Sequence, residues 1–210
     1  MIVLAQGFAI GFLIAAPVGP IGLLCIRRTL QYGWSAGFAS GLGVAIADGL
    51  YAAVAAFGLT AVVVFLQQHA RAFHTVSAVL LVLLGVQAIA GAFRPQQAAP
   101  ANAEMSAQPA AGQRLAAATI STLALTLVNP ATVLSFAAAF TLITTRIGQL
   151  SAASAAIFSV GAFCGSAAWW LVLASIVGAA RQGLHPEALR WANVASGAGL
   201  IAFAAWVLFA

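Results

Sequence analysis

One acidic side chain, Asp48, falls inside an apolar run of this sequence, while Glu104 and Glu187 stand between runs. A carboxylate at the depth of a bilayer costs about 3 kcal/mol or more unless it faces water, a cation or hydrogen-bond donors. Asp48 must therefore face the interior. Three roles are open to it: accepting a substrate ammonium, carrying a coupled proton, or stapling helices through Ser and Thr hydroxyls. The next candidates are two proline breaks, Ala16-Pro17-Val18-Gly19-Pro20-Ile21-Gly22 in one run and Leu127-Val128-Asn129-Pro130 in another. Proline lacks an amide donor and clashes with the carbonyl one turn back, so each break frees carbonyls that can accept an ammonium or a cation. Half-helices starting near Ile21 and Ala131 would offer amides and a positive dipole end to a carboxylate. Asn129 both donates and accepts, and is placed to cap the second half-helix. Together these groups could hold both ends of a zwitterion; the plainer alternative is a pair of kinks.

Around them, Thr122, Thr126, Thr132 and Ser135 either line a cavity or satisfy the freed backbone. Tyr51, Trp169 and Trp170 are candidate gate or cavity aromatics, whereas Trp34, Trp191 and Trp206 suit interfacial anchors or lipid-facing bulk. His69, His74 and His185 fall in loops or at run ends, where a solvated imidazole is the simpler reading.

The elements that must position these residues are membrane helices. Hydrophobic residues make up 63% of the chain and charged residues 5%, with a mean hydropathy of +1.07; a water-soluble domain carries about a quarter charged residues. At about 20 residues per crossing, the 210 residues accommodate six spans, expected at 2–26, 36–66, 75–93, 115–145, 152–180 and 191–209. All eight basic residues are Arg. On alternate sides they divide into Arg27, Arg28, Arg94, Arg114, Arg181 and Arg190 against Arg71 and Arg146. The positive-inside rule makes the Arg-rich side cytoplasmic and puts both termini outside. No cleavable signal peptide is read at the start, because the basic pair follows the apolar run instead of preceding it.

Residues 95–113, rich in Ala, Pro and Gln, have little to build a core from and are expected to be a flexible cytoplasmic linker. They divide the chain into 1–94 and 114–210, three spans each. Three spans per half force the second half to enter from the opposite side, as an inverted repeat within one integral membrane domain. Weak internal similarity agrees: aligning Gly43 of G-V-A-I-A-D-G-L-Y with Gly161 of G-A-F-C-G-S-A-A-W sets Asp48 opposite Ser166. The fold class expected is all-α, six transmembrane helices as two inverted three-helix repeats, helices 1 and 4 broken at proline. Glycines spaced by four, at Gly33, Gly37, Gly41 and at Gly161, Gly165, let backbones approach closely. Packing within the bundle and a homodimer contact both fit that spacing.

Other function classes find little support. The arginines form no patch with interleaved aromatics, so a nucleic-acid partner is not expected. Cys25 and Cys164 have no C-x-x-C or metal spacing and read as small packing residues, although one Cys per half leaves a membrane thiol-disulfide relay as an alternative. No nucleophile-base-acid set, paired carboxylates or phosphate-binding loop is present. Neither enzyme activity nor a cofactor is called for, and a single intramembrane acid argues against a resident metal.

Over nearly its whole length the chain resembles the LysE/RhtB family of amino-acid exporters. The resemblance is carried by A-P-V-G-P-I-G from Ala16, G-W-S-A-G-F-A-S-G-L-G-V-A-I-A-D from Gly33, L-V-N-P-A-T-V-L-S-F from Leu127, G-S-A-A-W-W from Gly165 and R-W-A-N-V-A-S-G from Arg190. It implies export of amino acids or similar small metabolites across the bacterial inner membrane, driven by an ion gradient, with a proton as the expected coupling ion. The family's motif positions carry onto Pro17, Gly19, Pro20, Asp48, Asn129 and Pro130, with Tyr51, Thr126, Ser166 and Trp169 as further cavity candidates. Ile21 stands where many members carry Asn or Asp. Related branches handle metals, so a divalent-cation exporter is the competing transport reading.

Overall fold

Lipid offers no hydrogen-bond partners, so the apolar runs must satisfy their backbones internally, which helices do. The computed structural model describes residues 1–17, 19–58, 64–65, 68–93, 111–129, 132, 135–136, 138–140, 150–181, 183 and 185–209. Among them the chain forms α1 (Ile2–Ala15), α2 (Pro20–Tyr32), α3 (Trp34–Ala56), α4 (Ala70–Phe93), α5 (Ala111–Leu127), α6 (Ala152–Arg181) and α7 (Pro186–Phe209), and no strand. Three of these helices are long and apolar enough to cross a membrane: α3, α4 from Arg71 onward, and α6; α1 with α2 makes a fourth when the bent pair is taken as one span. The protein is a helical, multi-pass membrane protein.

The axes of α1 and α2 diverge by 81°. Gly19, extended at φ −96° and ψ −167°, is the N-cap of α2, and Pro20 occupies its first turn, where the missing N–H would have had no intrahelical acceptor anyway. At the other end of α2 a single residue, Gly33, turns the chain into α3 with φ +94°, a left-handed conformation that side chains resist.

Several boundaries differ from the expected spans. Helix α3, inside the expected span 36–66, ends at Ala56, and Gly58 at φ +65° follows its end. Helix α4 begins at Ala70 and α7 at Pro186, both ahead of the expected starts at 75 and 191. Helix α5 starts at Ala111, taking in the last residues of the segment read as linker; 95–110 lie outside the described residues. So does Pro130, and with it the second proline break. Helix α5 itself ends at Leu127, just before Asn129.

Glycines set the packing distances. Helix α1 lies on α6, where a methyl group on Gly7, Gly11, Gly161 or Gly165 would overlap a backbone carbonyl of the facing helix. Helix α3 lies on both α5 and α6: Gly43 meets the Thr119 carbonyl, and Gly41 meets Trp170. Helix α4 lies on α7, where Gly85 and Gly197 each come within 2.8 Å of the other's carbonyl oxygen, measured from an added methyl. The faces built on Gly37 and Gly41 and on Gly161 and Gly165 therefore pack inside the chain. Helix α2 fills the remaining gap, touching α3, α6 and α7, with Leu24 and Cys25 buried beside Leu81 and Leu200.

Candidate functional site

The bend between α1 and α2 opens a cavity of about 140 Å³. Its walls are Ile14, Ala15, Pro17, Gly19, Pro20, Ile21 and Gly22 from the bend, Val44 and Asp48 from α3, Thr126 and Asn129 from the end of α5, Thr132, and Trp170 from α6. Five of the six motif residues, Pro17, Gly19, Pro20, Asp48 and Asn129, thus come together at one place; the sixth, Pro130, lies outside the described residues. Ile21 joins the wall, so this side of the cavity is apolar.

Asp48 is 1% exposed and Ser166 is fully buried. The Ser166 hydroxyl donates to Asp48 Oδ2 at 2.7 Å, so the two residues opposed by the internal alignment touch. Among the described residues this is the only hydrogen bond the carboxylate accepts, and no arginine reaches it. The carboxylate is thus held by one neutral donor at the edge of a cavity that could admit water or a cation.

The end of α5 is braced from outside the cavity. Tyr51 donates its hydroxyl proton to the Leu127 carbonyl at 2.7 Å, with the Thr126 carbonyl at 3.4 Å, and Ser77 donates to the Val128 carbonyl at 3.1 Å. These are carbonyls that a helix end leaves without intrahelical partners. Tyr51 is therefore not among the cavity-lining residues; it stands behind the end of α5 and secures it. Ser77 was not singled out from sequence, since a lone Ser in an apolar run carries no signal of its partner. Thr122 likewise turns away, its hydroxyl donating to the Ser40 carbonyl at 2.6 Å and so clamping α5 to α3. Ser135 is exposed.

Trp169 does not line the cavity either: its ring meets Phe12 edge-on at 5.5 Å, packing α6 on α1. Its neighbour Trp170 is the aromatic wall, 4% exposed, and its indole N–H has no hydrogen-bond partner among the described residues. Arg28, counted from sequence as an orientation signal, turns inward. Its Nη1 donates to Ser40 Oγ at 2.9 Å and to the Ala118 carbonyl at 3.0 Å, and its Nη2 to Ser121 Oγ at 2.8 Å. One guanidinium thereby ties α2, α3 and α5 together. Arg27 is also buried, with Nη1 3.4 Å from the Leu84 carbonyl.

Among the described residues no group of three or more His, Cys, Asp or Glu side chains gathers. Cys25 is buried and Cys164 exposed, and neither is in a disulfide. His69 and His185 are exposed.

A bent pair of apolar helices beside a cavity with one buried carboxylate is an arrangement suited to a class, the membrane proteins that move small solutes. The comparison with known families makes the assignment specific: the LysE type translocator model matches residues 12–210, and the chain belongs to that family. No curated protein and no solved structure matches it.

Proposed function

We propose that this translocator is a secondary active exporter of amino acids or related small metabolites, proton-coupled and working by alternating access across the bacterial inner membrane. The observation that carries the reading is the cavity at the α1–α2 bend, where Asp48, the Gly19-Pro20 corner, Thr126 and Asn129 meet. Asp48 supplies the negative pole for a substrate ammonium or a proton. The Trp170 indole N–H and the amides at the start of α2 supply donors for a carboxylate. At about 140 Å³ the space is below the roughly 300–1,000 Å³ of sites for drug-sized ligands, which suits a small metabolite.

Alternating access needs two halves that can rock, and the contacts support an inverted pair. Exchanging α1 with α5 and α3 with α6 turns the α1–α6 packing into the α5–α3 packing. A methyl on Gly161 would overlap the Leu4 carbonyl and sit 3.0 Å from the Phe8 nitrogen; on Gly43 it would overlap the Thr119 carbonyl and sit 2.9 Å from the Leu123 nitrogen. Gly85 and Gly197 face each other with equal distances. In a two-fold arrangement, matched residues that touch each other lie on the axis, which is where Asp48 and Ser166 belong in this reading. The proposed halves are 1–94 and 114–210, joined by a cytoplasmic 95–113.

The test is efflux from proteoliposomes under an imposed proton gradient. Asp48→Asn should abolish net efflux of a radiolabelled amino-acid mixture while the protein still inserts and elutes as a single species. Efflux at the wild-type rate would remove Asp48 from both binding and coupling.

A further inference from the structure

A second cavity, larger than the first and separate from it, lies at the far end of α6. It measures about 470 Å³ and is lined by Trp34, Ser175, Gly178, Ala179 and Arg181. Ser166 stands at the middle of the 30-residue α6, so Arg181, fifteen positions on, is about 22 Å from it along the helix. That exceeds the roughly 15 Å half-thickness of the hydrocarbon core, so with Ser166 on the mid-bilayer axis, as the proposed function has it, the guanidinium lies at headgroup level. Its Nε–H donates to the Leu30 carbonyl at 2.7 Å, which pins the side chain over the corner between α2 and α3. Among the described residues the Nη groups have no partner and no carboxylate lies within ion-pair distance. Trp34 is fixed as well, its indole N–H donating to Ser175 Oγ at 3.1 Å and its ring stacked on Phe38 at 5.2 Å.

Below this polar end the same face of α6 continues as an apolar track. Val172, Ser175, Ile176 and Ala179 share one side at helical spacing, with Val172 41% and Ile176 63% exposed. A fixed cation with free donors at headgroup level, a Trp beside it and a bare aliphatic strip running toward the bilayer centre match one amphiphile. We propose that this groove is a binding site for an anionic phospholipid, its phosphate on the Arg181 Nη groups and an acyl chain along Val172 and Ile176. Arg presents a planar fork suited to two phosphate oxygens, and basic pockets between membrane helices are known to select anionic headgroups. The groove joins α3 of one proposed half to α6 of the other, so the lipid would sit across their seam.

The test uses the full chain in detergent. Purified protein is offered an equimolar mixture of phosphatidylglycerol and phosphatidylcholine and examined by native mass spectrometry, and its thermal midpoint is measured with each lipid alone and with inorganic phosphate. The expected result is preferential retention of phosphatidylglycerol and a rise in Tm with that lipid alone. Arg181→Gln should erase both effects. Ala179→Trp, which fills the groove and leaves the guanidinium intact, should do the same and serves if the first variant folds poorly. Equal retention of the two lipids by the wild type, the same Tm rise with inorganic phosphate, or an undiminished preference in either variant would overturn the proposal.

Discussion

At the scale of single residues, the site depends on how little surrounds Asp48. One hydroxyl at 2.7 Å from Ser166 is its only hydrogen bond among the described residues, so protonation or an incoming cation meets no competing arginine. Asn129, just past the end of α5, shares the cavity wall with it. Asn129→Ala should raise the substrate concentration giving half-maximal efflux several-fold, to about tenfold, the scale of one lost hydrogen bond worth about 1 kcal/mol. Kinetics equal to wild type would leave Asn129 a helix cap alone. The interior placement of Asp48 was legible in the sequence because a lone acid in an apolar run has few explanations. The choice between Trp169 and Trp170, and the inward turn of Arg28, were not legible. Helices that are apolar nearly all round have no polar face to reveal which side points inward, and an Arg near a helix end reads the same whether it faces headgroups or folds back on Ser40 and Ser121.

Helices and their contacts carry the next level. The bend before Pro20 was readable because proline and glycine punctuate a helix through backbone sterics alone. The early end of α3 was not, since residues 57–66 remain apolar and only the positive φ at Gly58 marks the turn. Glycine spacing foretold close helix approach without naming partners; the partners depend on which faces meet, a tertiary matter. The equivalent contacts of Gly43 and Gly161 lead to a paired prediction. Gly43→Ala and Gly161→Ala each push a methyl into a facing carbonyl, and each should lower stability by a similar amount, about 1–3 kcal/mol for an overpacked contact. Scanning fluorimetry in detergent measures both, and a loss in one with none in the other would argue that the two interfaces are not counterparts.

For the molecule as a whole, the arginines bear on the proposed orientation. Arg181 reaches the Leu30 carbonyl, Arg190 lies 4.6 Å from the Phe93 ring, and Arg28 bonds across to α5, so these basic residues gather toward one end of the bundle. In the proposed topology the positive-inside rule makes that end cytoplasmic. Alkaline phosphatase fused after Ala210 should be active in a bacterial host, and fused within 95–110 inactive; the opposite pattern would overturn the proposed topology. The contact between Asp48 and Ser166 also bears on ancestry. Were this bundle assembled from two identical three-helix chains, whatever residue stood on the symmetry axis would confront its own twin. Two acids there would repel at hydrogen-bonding range, and two serines would leave the pathway without charge. Under the proposed inverted repeat, a solitary anion braced by a neutral hydroxyl becomes available once the halves are joined and drift apart, so duplication with divergence would leave the translocator one charged group on the axis instead of two.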